Sequence, residues 1–193
     1  MANTYTQIYI HIVFAVQGRQ NLIRREHNDE LQKYMTGITS GQGQKLIAIN
    51  NMPDHFHILI GQRPNVALSD LVRTIKAGSS GFINDRRWVA GRFSWQEGFD
   101  AFSYSHSQLS TVIKYIENQQ EHHRCKSFSE EYVELLKRFN VPHDQRYLSN
   151  LCIAIRCRSY GADRTFSPVT IKILLLTEHA WPYKCPTTSD GRA

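Results

Sequence analysis

Residues 45–61 read KLIAINNMPDHFHILIG. Two runs, 45–51 and 54–61, flank Asn51-Met52-Pro53-Asp54, whose residue types favour a tight turn, so the segment predicts a β-hairpin. Alternate residues of a strand share a face. In the second run Phe56, Ile58 and Ile60 make one apolar face, and His55, His57 and Leu59 make the other. Imidazole is a common ligand for transition metals, and His-x-His on a strand aims both rings at one point. A strand histidine is also often a satisfied polar residue, so on this stretch alone both readings stay open.

Working outward, residues 5–14 alternate Ile8, Ile10, Ile12 and Phe14 against Tyr9, His11 and Val13, which is strand periodicity. Residues from about 26 to 38 place Leu31, Tyr34, Met35 and Ile38 at helical intervals, and Ser40-Gly41-Gln42-Gly43 ends that helix. Ser69 is a good N-cap for a helix to about Asn84, with Leu71, Val72, Ile75, Phe82 and Ile83 as its apolar stripe. Residues 92–96 and 99–105, broken by Glu97-Gly98, read as one or two short aromatic strands. Ser107 caps a helix carrying Leu109, Val112, Ile113 and Ile116, and a last helix spans about 129–139. The order β-α-β-β-α-β-α predicts an α+β fold: a ferredoxin-like, RRM-like antiparallel sheet with helices packed on it.

The bulk numbers agree with one full-sized domain in 193 residues. No apolar run approaches a membrane span and the N-terminus lacks a charged leader, so a soluble cytoplasmic protein is expected. Cys125, Cys152, Cys157 and Cys185 show neither CxxC nor zinc-knuckle spacing. The net charge is +6, but residues 1–148 hold 17 Lys and Arg against 14 Asp and Glu, while residues 149–193 hold six against three. Basicity is therefore weak evidence for a nucleic-acid partner. The character changes after Tyr147-Leu148: three cysteines, Pro168, Pro182 and Pro186 follow, with no clean amphipathic helix. Residues 1–148 are thus expected to form the catalytic domain and 149–193 an atypical basic tail outside it.

The helix after Ser107 contains Tyr115-Ile116-Glu117-Asn118-Gln119. A phenol and an amide oxygen four residues apart lie on the same side of a helix, here along the margin of its apolar face together with His122. Tyr115 would ordinarily be a packing residue, yet Gln119 stands where a third, neutral ligand would bring a metal beside the phenol. Neutral ligands leave the ion its full charge for polarising a phosphate and stabilising a leaving oxygen. A free phenol titrates at about pH 10, so it needs such help to attack efficiently. The product would be a phosphotyrosine that conserves the bond for later rejoining.

These motifs, together with YTQIYIHIVFAVQGRQN, LSDLVRTIKAGSSGFIN, FSWQEGFDAFSYSHS, VIKYIENQQEHHR and EEYVELLKRF, resemble the HUH-type single-tyrosine transposases (TnpA type) of the smallest bacterial and archaeal insertion sequences. The likeness covers about residues 4–148. His55 and His57 match the HUH histidines, Tyr115 the nucleophile, and Gln119 the third metal ligand. The resemblance implies an RRM-like HUH endonuclease fold, Mg²⁺ (or Mn²⁺) as cofactor, and excision and insertion of single-stranded DNA through a 5′-phosphotyrosine intermediate. It further implies recognition of hairpins at the element ends and a homodimer in which the tyrosine helix serves the partner's histidines. The tail is the departure, since proteins of this type usually end near Tyr147-Leu148.

Arg19, Arg73, Lys76, Arg86 and Arg87 are candidate phosphate contacts, although isolated surface cations are mostly solvated. Arg92 belongs with them, and Trp88, Trp95, Phe102 and Tyr104 are either core residues or platforms for unpaired bases. His11 shares the face of the HUH pair if its strand pairs with theirs. Three other functions compete, one of them a small metallohydrolase using His55 and His57, which would want a carboxylate ligand and a general base instead. A replication-initiator or relaxase-like nickase uses the same metal and tyrosine. A non-catalytic RRM-like nucleic-acid binding module would need neither Tyr115 nor Gln119.

Overall fold

The computed structural model describes residues 5–125 and 127–142, so the expectations for the tail 149–193 lie outside the described residues. In chain order the elements are β1 Tyr9–Ala15, α1 Asn28–Gly41, β2 Lys45–Met52, β3 His55–Gly61, α2 Leu68–Asp85, β4 Asp100–Tyr104, α3 Leu109–Glu117, α4 Gln119–Cys125 and α5 Phe128–Arg138. The strands form one sheet in the order β2-β3-β1-β4, with every neighbouring pair antiparallel. This is the expected ferredoxin-like arrangement: two split β-α-β units leave β1 and β3 in the centre.

Period-two alternation in the central strands divides the molecule into two cores. Ile10, Ile12, Phe14, Phe56, Ile58 and Ile60 point to the face covered by α1 and α2, where they meet Leu31, Met35, Leu71 and Ile75. Val13, Leu59, Phe102 and Tyr104 point to the opposite face, where α3 and α5 supply Val112, Ile116, Leu135 and Leu136. Of the suspected base-stacking aromatics, Trp95, Phe102 and Tyr104 are buried in these cores. Trp88 is partly buried and lies flat on His27, with ring centroids 4.1 Å apart.

The element boundaries differ from the sequence reading where local hydrogen bonding intervenes. Residues 92–96 form no strand, because the Asn84 amide takes both the Phe93 N–H and the Phe93 carbonyl. Only Trp95 bridges back, to Val16. The α2 helix begins at Leu68, one residue ahead of the expected cap Ser69. Ser105, rather than Ser107, opens the way into α3: its N–H and hydroxyl both donate to Gln108 Oε1.

The α1–α2 contact depends on Gly78, where an added Cβ would stand 2.7 Å from Ile38 Cδ1. Gly81, on the same helix, would meet nothing within 4 Å. Gly78→Val is therefore expected to destabilise the fold by about 1–3 kcal/mol through overpacking. Gly81→Ala should stabilise it by roughly 0.5–1 kcal/mol, the ordinary helix-propensity difference. Urea unfolding of both variants checks this; equal and opposite shifts are not required, but opposite signs are.

Candidate active site

The turn before β3 fixes the first histidine. The Nδ1–H of His55 donates to Asp54 Oδ1 at 2.6 Å, because a carboxylate can only accept. Asp54 also pairs with Arg19 at 2.7 Å, and the Arg19 guanidinium lies 3.4 Å over the Phe128 ring. Burial pushes the Asp54 carboxyl up, but the hydrogen bond and charge of His55, with Arg19 behind them, hold it below its ordinary value. The other nitrogen of His55, Nε2, is turned inward and has no hydrogen-bond partner among the described residues.

The second histidine is fixed across the sheet. His11 on β1 pairs with Leu59, two residues beyond His57 on β3, and its Nε2 lies 3.0 Å from His57 Nδ1. When His57 Nδ1–H is the donor of this pair, the lone pair of His57 Nε2 faces the site, and that atom has no partner among the described residues either. All three imidazoles are held neutral by burial. His11 is pushed down to about 3 and His55 to about 4, and His57 lies well below the ordinary histidine value. Neutral rings with inward lone pairs are the state that ligates a metal.

The tyrosine arrives from the helical layer. The Tyr115 ring stands edge-on to His57, with centroids 5.8 Å apart, and its hydroxyl donates to Glu131 Oε1 on α5. Sequence periodicity predicts one continuous helix through Tyr115 and Gln119, but the chain breaks at Asn118. Asn50, opposite His57 on β2, causes the break: its Nδ2 donates to the carbonyls of Ile116 at 2.7 Å and Glu117 at 3.0 Å. Gln119 becomes the first residue of α4 and stays on the tyrosine's side, its Nε2 donating to Tyr115 O at 3.4 Å and to Glu131 Oε1 at 3.2 Å. Gln119 Oε1 is buried without a partner among the described residues. His55, His57, Tyr115 and Gln119 are thus brought together.

Two members of this cluster escaped the sequence reading. Glu131 is 2% exposed, and burial raises its carboxyl to about 8. Its Oε2 lies 3.0 Å from His123 Nε2, and its Oε1 lies 3.9 Å from both His57 Nε2 and His122 Nε2. The available signal was a carboxylate on the buried stripe Phe128, Glu131, Leu135 and Leu136 of α5. One atom from each of His55, His57, His123 and Glu131 lies within 4.8 Å of all the others. Orphaned imidazole nitrogens, an orphaned amide oxygen and a carboxylate fit a divalent metal.

The candidate phosphate contacts separate by location. Arg19 belongs to the site through Asp54. Lys76 donates to the carbonyls of Gln96 and Gly98, both at 2.6 Å, and so anchors the segment before β4. Arg73 pairs with Asp70, Arg86 pairs with Glu30 at 2.9 Å, and Arg87 follows α2 with a left-handed φ of 55°. These last three lie with the α1–α2 layer, across the sheet from the histidines.

The cluster's titrations fix a pH profile for the metal-free protein. Unfolded histidines take up protons near pH 6.5 while folded His11, His55 and His57 refuse them, so their stabilisation is intact above 6.5 and lost as pH falls below it. Glu131 has the opposite sign. Its folded value of about 8 lies above the ordinary 4.5, so its contribution is present below 4.5 and lost as pH rises towards 8. Of these four groups, the three histidines change below 6.5 and Glu131 is the one that changes above it. Glu131→Gln should abolish the decline between pH 6.5 and 8, as followed by denaturant unfolding across a pH series. A decline that persists unchanged in this variant refutes the assignment.

Comparison with known proteins places this geometry in a family. The family model described as "Transposase IS200 like" matches residues 4–119. The ISDra2 transposase TnpA of Deinococcus radiodurans is 26% identical over 120 residues, which cover 58% of this chain and 84% of that protein. A solved REP-associated tyrosine transposase, bound to a REP hairpin, shares the fold with a TM-score of 0.50 and 13% identity, over 64% of this chain and 73% of that one. The family match runs through more than half of the chain and includes His55, His57, Tyr115 and Gln119, so the chain belongs to the IS200-like transposase family.

Proposed function

We propose that this transposase cuts and rejoins single-stranded DNA at insertion-sequence ends, with Tyr115 as nucleophile and a divalent metal held by His55, His57 and Gln119. The observation that carries the reading is one buried cluster in which a tyrosine hydroxyl donates to Glu131, beside two imidazoles whose Nδ1 atoms are hydrogen-bonded and whose Nε2 atoms, among the described residues, are not.

The residues then act in sequence. Asp54 and His11 set the tautomers of His55 and His57, and Gln119 offers a neutral oxygen beside them. Glu131 holds the phenolic proton before attack. The Tyr115 oxygen bonds to phosphorus as its proton passes to Glu131, the bond from phosphorus to the 3′-oxygen breaks, and that proton passes on to the freed 3′-oxygen. The 5′-phosphate remains on Tyr115 until another 3′-hydroxyl reverses the step. The expected ion, Mg²⁺ or Mn²⁺, supplies charge withdrawal from the phosphate and stabilisation of the leaving oxygen.

Hairpin-bearing single-stranded DNA is the proposed partner, in keeping with a structural relative bound to a REP hairpin. Arg73, Arg86 and Arg87 are proposed to contact phosphates from the α2 layer. The catalytic unit is proposed to be residues 1–148, with 149–193 outside it. Among the described residues no helix is long and apolar enough to cross a membrane, and the cytoplasm is the proposed location.

Tyr115→Phe is expected to abolish single-strand cleavage and the covalent protein–DNA adduct while leaving hairpin affinity within about threefold, since affinity comes from dispersed contacts. His55→Ala, His57→Ala and Gln119→Ala should each lose metal-dependent cleavage. Denaturing gels with labelled DNA, with and without chelator, read both results. An adduct formed by the Tyr115→Phe protein, or full cleavage in chelator, overturns the assignment.

Moving an element requires two ends to be cut, and one chain has one Tyr115, so the proposed machine is a homodimer. The described chain sets Tyr115 against its own His57. The proposed active dimer instead offers each tyrosine helix to the partner's histidines. Mixing Tyr115→Phe protein with a His55→Ala/His57→Ala variant should then restore cleavage, because each heterodimer regains one whole site. If verified subunit exchange brings no rescue, the sites are formed within single chains.

A further inference from the structure

We propose that His123 and Glu131 are metal ligands, added by α4 and α5 to the histidine pair of β3. Together with Gln119 Oε1, these three imidazoles and one carboxylate select a first-row transition ion over Mg²⁺. The proposal rests on the reading that His55 and His57 hold a metal and names the further groups that would hold it with them.

Geometry carries the argument. The four ligand atoms lie within 4.8 Å of one another; His123 Nε2 lies 3.0 Å from Glu131 Oε2, and His57 Nε2 lies 3.9 Å from Glu131 Oε1. Ligand atoms on one ion at bond lengths near 2.1 Å stand roughly 3–4.2 Å apart, so both of these pairs already lie in range. His55 Nε2 and His57 Nε2 already face this point without partners, each 1% exposed or less. Glu131 is equally buried, and a carboxylate on the apolar stripe of α5 is costly unless something charged meets it.

Ligand chemistry sets the preference. Mg²⁺ favours oxygen donors and keeps much of its water, whereas three nitrogen donors and one carboxylate suit Mn²⁺, Co²⁺ or Zn²⁺. The same placement ties the metal to the nucleophile. Glu131 Oε1 now accepts from both Tyr115 and Gln119. With Oε2, the oxygen facing His123, on the ion, Oε1 stays with the Tyr115 hydroxyl and Gln119 Nε2.

The test is Co²⁺ binding to the metal-stripped full-length chain, followed by visible absorption and by calorimetry. Wild type should show the strong visible bands of a four- or five-coordinate ion, undiminished by millimolar Mg²⁺. Outer-shell partners of metal ligands are worth about 10–100-fold in affinity, so His123→Ala and Glu131→Gln, as true ligands, should each cost at least about tenfold and weaken the bands. Circular dichroism verifies folding, and His123→Asn serves if Glu131→Gln does not fold. Unchanged affinity and spectrum in the His123 and Glu131 variants, with binding lost in His55→Ala, overturn the proposal and leave the histidine-pair reading standing. If wild type binds neither Co²⁺ nor Mn²⁺, both readings fall.

Discussion

Everything at the site follows from β3 being covered on both faces. Phe56, Ile58 and Ile60 are fully buried beneath α1 and α2, and His55, His57 and Leu59 are just as deeply buried beneath α3 and α5. A central strand of an antiparallel sheet usually spends one face on core and the other on solvent. Here the second face must accept two imidazoles where neither can carry charge. Each polar group buried without a partner costs about 1–3 kcal/mol. Asp54 and His11 satisfy one nitrogen of each ring, and the remaining two point at a single spot. An apolar pair at these positions would carry no such cost.

The hairpin that carries the histidines also places Tyr115. Asn50 sits directly across the ladder from His57 and takes the last carbonyls of α3, which ends the tyrosine helix at Glu117. Helix termini leave carbonyls in need of donors, and a side chain from the sheet is an unusually rigid one. The distance from Tyr115 to His57 is therefore set by β2 and β3 rather than by the loop before α3. Arg19 extends the same economy: one guanidinium pairs with the carboxylate that orients His55 and covers Phe128 at the start of α5. Sheet and helical layer are fastened beside the histidine cluster itself.

The fold was legible because alternation is a local signal. His11, His55 and His57 share a face by counting in twos, and the turn at Asn51–Asp54 tells which strands are neighbours. Tyr115 and Gln119 were legible for the helical equivalent of that reason. Glu131 and His123 were not, because their place depends on how α4 and α5 fold back across the sheet, which no spacing within the sequence encodes. The break at Asn118 was hidden likewise, its cause being a residue 66 positions from Ile116. Lys76 reads as a free cation in sequence yet is committed to two carbonyls, because the loop before β4 happens to pass beside α2.

These contacts also constrain how two copies would share a site. Withdrawing α3 from its own sheet would expose Val112 and Ile116, both fully buried, and free the carbonyls held by Asn50. Exposure of the two side chains alone costs about 3–6 kcal/mol. The same groups docked on the same surface of an identical partner would recover that cost contact for contact, which is why exchange of an element is a low-cost route to a dimer. The chain entering α3 is the turn His106–Gln108 with Ser105 before it, closed by side-chain hydrogen bonds to Gln108. Those bonds are exposed or partly so and local, so redirecting this turn sacrifices little packing, whereas a bend at Asn118 would separate Tyr115 from Gln119. Exchange would therefore have to carry α3 and α4 together, keeping Tyr115 and the Gln119 amide as one unit.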